Sequence, residues 1–266
     1  MEAETFLSID DYREFAGSVL CQRRFVHTDE QKRFLVAVLK TSDKRIVIQE
    51  RGSSLWRAQS AYQERLVPGE HDDDGNVMYS IPESVPATLE RMKPHRNRAS
   101  EGRVNPKGIP CLYLSTDRST AMSEVRPWLG ALITIAEFKL VRDLRIVNCS
   151  ADPPVRNRVR FLMKRDNVSS HEKEQCVWSD INRAFAIPVD RNDDVADYAP
   201  TQVISEAFGS QCDGVMFTTK LGDGQNVALF DLDAAEVASR QLCQVGGLKY
   251  TFSDISPVTF ELEHEE

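Results

Sequence analysis

Between Gly102 and Pro127 the chain reads GRVNPKGIPCLYLSTDRSTAMSEVRP, and this run constrains the fold more than any other. It opens as a loop punctuated by glycine and proline and carrying an arginine and an asparagine. A short apolar strand with one tyrosine follows, then a turn, then a helix bearing one glutamate. A chain that must pack loop, strand and helix so closely needs a mixed architecture. The side chains also suit one chemistry: arginine pairs with phosphate, tyrosine offers a stacking face, and a carboxylate stabilises a developing sugar cation. Together they read as a site for a dinucleotide whose glycosidic bond is broken. Taken alone, such a strand, turn and helix serve as scaffold about as often as site.

At 266 residues, with 41% apolar and 28% charged residues, the chain is long enough to bury a substantial core. The formal net charge of −8 argues against general affinity for nucleic acid, which needs basic surface. A local basic cluster nevertheless leads into the opening motif: Arg91, Lys93, His95, Arg96, Arg98, Arg103 and Lys107. Part of it is expected to face an anionic ligand. The six cysteines show no CxxC pair and the five histidines no metal-ligand spacing, so neither zinc site nor disulfide framework is indicated. His95 and His171 read as solvated surface residues. The acidic start MEAETFLSIDDYREF lacks the apolar core of a signal peptide, and the longest apolar stretch, near Leu129 to Ala136, is too short to span a membrane. A cytoplasmic, reduced protein is expected.

Residues 1–50 read as an N-terminal helical module. Ser8 with Asp11 resembles a capping arrangement, and Ile9, Tyr12, Phe15, Ala16, Val19 and Leu20 recur at helical spacing. Thr28 with Gln31 announces a second helix whose stripe is Phe34, Leu35, Val38 and Leu39. Strands are expected at Lys44–Gln49 and Leu55–Ala58, with residues 64–75 a loop containing three consecutive aspartates. The spacing of that loop rejects an EF-hand. Further strands are expected at Ala131–Leu140, Leu144–Asn148, Val215–Thr219 and Asn226–Phe230, with Gly222-Asp223-Gly224 a hairpin-like turn. Residues 151–195 read as a helical insertion, and Pro200 suits the first turn of a short helix. Short strands with interspersed helices, without regular βαβ alternation, favour α+β. No GxGxxG, P-loop or GxSxG motif is present.

Four segments, LWRA, GRVNPKGIPCLYLSTDRSTAMSEV, YAPTQVISE and DGVMFTT followed by NVALF, occur in an order that resembles the RES-domain family. These are bacterial NAD-degrading enzymes, often toxins encoded beside a DNA-binding antitoxin. The resemblance covers roughly residues 51–235 and implies an ADP-ribosyltransferase-like split β-sheet core holding NAD in a cleft. The catalytic domain is then expected over residues 51–266. Position by position, Arg57 resembles the family's first arginine, near the diphosphate or ribose. Arg103 and Asn105 match the GRxN motif, Tyr113 the strand tyrosine at the nicotinamide end, and Glu124 the helix glutamate at the nicotinamide ribose. The family serine falls at Thr218 or Thr219, and Asn226 resembles the asparagine before the last apolar strand. Threonine keeps a hydroxyl but restricts its rotamer.

The resemblance implies an NAD glycohydrolase or NAD phosphorylase with NAD⁺ as substrate, and no bound cofactor or metal. Glu124 would act beside the ribose, with Arg57, Tyr113 and the threonine hydroxyl assisting catalysis. Arg57, Arg103, Asn105, Tyr113 and Asn226 would hold NAD⁺. A cognate antitoxin is the implied partner, nucleic acid and membrane are not contacted, and a homodimer is compatible with the sequence. Two other readings stay open: transfer of ADP-ribose to a protein, or a partner-binding module with a degenerate site.

Overall fold

In the computed structural model, residues 5–150, 168–187 and 195–249 are described. The helices are α1 (Asp11–Cys21), α2 (Asp29–Ser42), α3 (Leu89–Met92), α4 (Arg118–Glu124), α5 (Ser170–Ala186) and α6 (Ala199–Phe208). The strands are β1 (Ile46–Gln49), β2 (Ser54–Gln59), β3 (Tyr62–Pro68), β4 (Ser80–Pro86), β5 (Leu112–Ser115), β6 (Leu132–Leu140), β7 (Leu144–Asn148), β8 (Gly214–Thr218), β9 (Gln225–Leu229) and β10 (Ala235–Gln244). The fold is α+β.

Eight strands form one sheet in the order β1-β7-β8-β9-β5-β2-β6-β10. The β7–β8 pair is parallel, which requires a crossover, and α5 and α6 lie in it. All other neighbours in the sheet are antiparallel. The sheet is split in its middle. β2 pairs with β6 along its whole length, but with β5 only through Trp56 and Ser115. One half is therefore β1-β7-β8-β9-β5 and the other β2-β6-β10, joined at a single register pair.

Strand alternation sends neighbouring side chains to opposite faces. On one face a single apolar cluster runs across both halves, from Ile146, Met216, Leu229 and Leu112 to Leu55 and Phe138. The other face carries two clusters. Helices α1, α2, α5 and α6 cover the first half over Val147, Val215, Phe217 and Ala228, with Trp178, Phe185 and Phe208 at the centre. Helix α4 covers the second half through Ala121, against Ala58, Ile133 and Ile135. The gap between those two clusters falls at the split.

Local signals explain most elements. Thr28 and Gln31 form both halves of a capping box at α2. Pro200 stands in the first turn of α6. Before α1 only the reciprocal half of the expected arrangement forms: the Asp11 carboxylate accepts from the backbone N–H of Leu7 and Ser8, while Asp10 is the N-cap. The segment expected as loop from residue 64 corrects to a strand, since Tyr62–Pro68 pairs with Ser80–Pro86 in a separate two-stranded sheet. The turn residues begin only after Pro68. The first fifty residues share one core cluster with α5 and α6, and β1 within them forms an edge of the large sheet. Among the described residues, no helix is long and apolar enough to cross a membrane.

Candidate active site

At the split lies a cavity of about 150 Å³, with walls from β2 (Trp56, Arg57, Gln59), β5 (Tyr113, Ser115), α4 (Glu124, Val125), Arg103 and Asn226. Sites for whole drug-sized ligands run to roughly 300–1,000 Å³, so this space suits one end of an extended molecule.

Its centre is Glu124, the last residue of α4. The Asp117 side chain caps that helix by accepting from the Thr120 N–H at 2.9 Å. One Glu124 oxygen, Oε1, accepts from the Thr219 hydroxyl and from the Asn226 amide, each at 2.6 Å. Asn226 is oriented by Ser115, whose hydroxyl donates to its Oδ1 at 2.8 Å. The other oxygen, Oε2, faces Arg103 Nη2 at 3.4 Å. Strand β9, the loop that follows β8 and the loop carrying Arg103 thus converge on the one carboxylate that α4 presents.

Arg103 is itself pinned. Its Nη1 donates to the carbonyls of Phe185 and Ala186 at the end of α5, at 3.0 and 3.4 Å, and its guanidinium lies 5.5 Å from the Phe217 ring centre. Arg57 leaves β2 toward the gap, where Nη1 donates to the Tyr113 carbonyl at 2.9 Å. With its amide oxygen turned inward, Gln59 accepts from Arg57 Nε and Nη2 at 3.2 and 2.9 Å. Burial holds the Arg57 pKa down to about 10, and no carboxylate is among these partners. The charge persists at neutral pH.

The Tyr113 hydroxyl donates to Asn105 Oδ1 at 2.8 Å and accepts from the Val104 N–H at 3.0 Å. Burial raises its pKa above the ordinary phenol value. A Cβ at position 102 would stand 2.6 Å from that hydroxyl, so the loop closes on the ring only with glycine there. Asn105 is 2% exposed, and its amide donates to the carbonyls of Ser100, Pro106 and Ile109. It ties the loop together and is not part of the cavity wall. Gln202 of α6 locks the same loop by donating to the carbonyls of Gly102 and Asn105.

Of the residues expected from sequence, Arg57, Arg103, Tyr113, Glu124 and Asn226 line the cavity. Of the two threonines, Thr219 reaches the carboxylate, whereas the Thr218 backbone and hydroxyl bond Asn182 of α5. The basic cluster contributes only Arg103 to the cavity wall, and Lys93 and Arg96 pair with Asp233 elsewhere. Several wall residues had not been singled out, Trp56, Gln59, Ser115 and Val125 among them. Trp56 adjoins the arginine within LWRA, and Ser115 ends the LYLS strand beside the tyrosine, so both stood inside segments already marked.

Comparison with known proteins gives two findings. A family model described as the RES domain matches residues 81–253, a span containing Arg103, Glu124, Thr219 and Asn226 but not Arg57 or Trp56. Among solved structures, the chain is similar to that titled the crystal structure of the M. tuberculosis MbcT–MbcA toxin–antitoxin complex, with a TM-score of 0.36 and 14% identity over 78% of this chain and 91% of that one. No curated protein matches.

Proposed function

The chain belongs to the RES-domain family, and from that premise we propose that it consumes NAD⁺ by breaking the bond between nicotinamide and ribose. The observation that carries this reading is the Glu124 carboxylate, fixed by Thr219, Asn226 and Arg103 in the wall of a cleft.

Cleavage sends the bonding pair to the nicotinamide nitrogen and leaves positive charge on C1′ and the ring oxygen of the ribose. A carboxylate already oriented beside that carbon stabilises the charge as it forms, without reorganising in the transition state. Preorganised groups of this kind contribute on the order of 3–4 kcal/mol each. Water or inorganic phosphate then attacks C1′, giving ADP-ribose or its 1″-phosphate. Arg57 meets the anionic part of the substrate with a charge that no carboxylate among the described residues pairs with, and Arg103 keeps Glu124 aimed. A cognate antitoxin that covers this cleft is the partner the reading calls for.

The test is proton NMR of NAD⁺ with purified protein, with and without phosphate, beside Glu124→Gln. Nicotinamide is expected to appear with wild type and to be lost by at least about 100-fold in the variant, and the second product names the acceptor. Full turnover by Glu124→Gln would overturn the mechanism, and no release under any condition would overturn the activity.

A further inference from the structure

Trp56 holds the one backbone pair that joins the two halves of the sheet, directly opposite Ser115. Side chains of directly paired residues project to the same face, with Cβ atoms about 4.5–5.5 Å apart. The Ser115 hydroxyl on that face begins the chain that runs through Asn226 to Glu124. The indole therefore stands beside the carboxylate network. It is only partly buried and packs at the edge of the α4 cluster, so that part of it forms cavity wall. The other aromatic in the wall, Tyr113, has its hydroxyl committed to the loop. The third feature is the charge balance: Arg57 and Arg103 bring two cations to the wall beside Glu124, the one carboxylate in it.

From this placement we infer that Trp56 selects the oxidised, cationic nicotinamide ring over its neutral dihydro form. The inference rests on the proposed NAD⁺ reading and adds to it a determinant of redox-state specificity. A pyridinium beside two arginines meets repulsion, which the electron-rich face of an indole offsets. Tryptophan is the best of the aromatic residues for this attraction. A dihydronicotinamide ring stacks on the same face but lacks the charge. The attraction acts on the bound substrate and fades as the ring leaves uncharged, so it lowers KM and kcat together and leaves kcat/KM with NAD⁺ little changed.

The experiment compares wild type, Trp56→Phe and Trp56→Leu for KM and kcat with NAD⁺ and for competitive inhibition by NADH. Calorimetric binding of both nucleotides to Glu124→Gln and to the Glu124→Gln/Trp56→Leu pair reads the same preference without turnover. Expected for Trp56→Leu is a KM about tenfold higher, kcat raised by up to about the same factor, and an NADH inhibition constant nearly unchanged. Trp56→Phe falls between, and keeps the test intact should the leucine variant fail to fold. Equal weakening of NAD⁺ and NADH would mean that Trp56 only shapes the cavity, and the inference fails. An unchanged KM likewise sinks it while leaving NAD⁺ cleavage standing. A Trp56-dependent preference for NAD⁺ in calorimetry, with no nicotinamide released by wild type, would support the inference and overturn the proposed activity. Binding of neither nucleotide overturns both.

Discussion

The two halves of the sheet meet the cavity with opposite kinds of order. Glu124 rides on α4 over the β2 half, but its position is over-determined from the β9–β5 side: it has three donors, and one of them, Asn226, has its own donor in Ser115. From the β2 side comes a part-buried cation, Arg57, satisfied by a backbone carbonyl and an amide and, among the described residues, by no carboxylate. The first side fixes a charge by geometry, and the second keeps one electrostatically open. A site that must both aim a carboxylate and receive an anion needs the two arrangements apart, and a split sheet supplies two edges for them.

That contrast breaks most readily at the shared core. Phe138 is fully buried in the cluster that spans both halves. Phe138→Ala is expected to cost about 3–5 kcal/mol, lowering Tm by roughly 10 °C in one cooperative transition by calorimetry. Two separate transitions would show that the halves fold independently. Next in size is Asn226→Ala, which removes one donor from Glu124 and orphans Ser115. Nicotinamide release should fall about 100-fold in kcat, with KM little changed, because the loss lies on the orienting side. A change in KM alone would assign Asn226 to the receiving side instead.

Arg57→Met gives the smallest effect and sharpens the contrast most. Removing a desolvated cation with no acidic partner among the described residues should raise stability by about 1 kcal/mol while weakening ADP-ribose binding about tenfold by calorimetry. The sign with pH follows from the Arg57 pKa, lowered from the ordinary arginine value to about 10 on folding. Below about pH 10 folded and unfolded chains both hold the proton, so the penalty is constant. Only between those two values does the unfolded chain bind more protons and stability rise with pH. The Tm difference between variant and wild type should therefore be flat from pH 6 to 9. A difference that varies across that window would mean that another group has become coupled to the site.

Much of this was legible where sequence separation is short. The loop, strand, turn and helix from Gly102 to Pro127 could be read directly, because each signal acts within a few residues. So could the box of Thr28 and Gln31. The site itself became legible through the order of four segments, since the contacts of Glu124 with Thr219 and Asn226 join residues far apart in the chain. Asn182 gave no warning: a polar residue in a charged helix looks solvated until the fold brings it to Thr218. The β3–β4 hairpin was hidden for another reason. Both its strands are largely exposed and carry apolar residues such as Leu66 and Ile81 toward solvent, so no face alternates cleanly between apolar and polar. Strand β10, also mostly exposed and bulged near Val237, shows the same blurred pattern.

The turn from Gly222 to Gly224 lies behind the helix that carries Glu124. A Cβ at position 222 would run into Thr120, and one at 224 into the capping carboxylate of Asp117. Seen as a mutational landscape, this makes two small residues in an outlying turn nearly as irreplaceable as the acid they never touch. Almost any side chain there would push on the helix cap and carry the carboxylate out of register with its donors. A lineage drifting toward an inert scaffold could thus lose its chemistry at a turn while every residue of the cavity wall stayed in place.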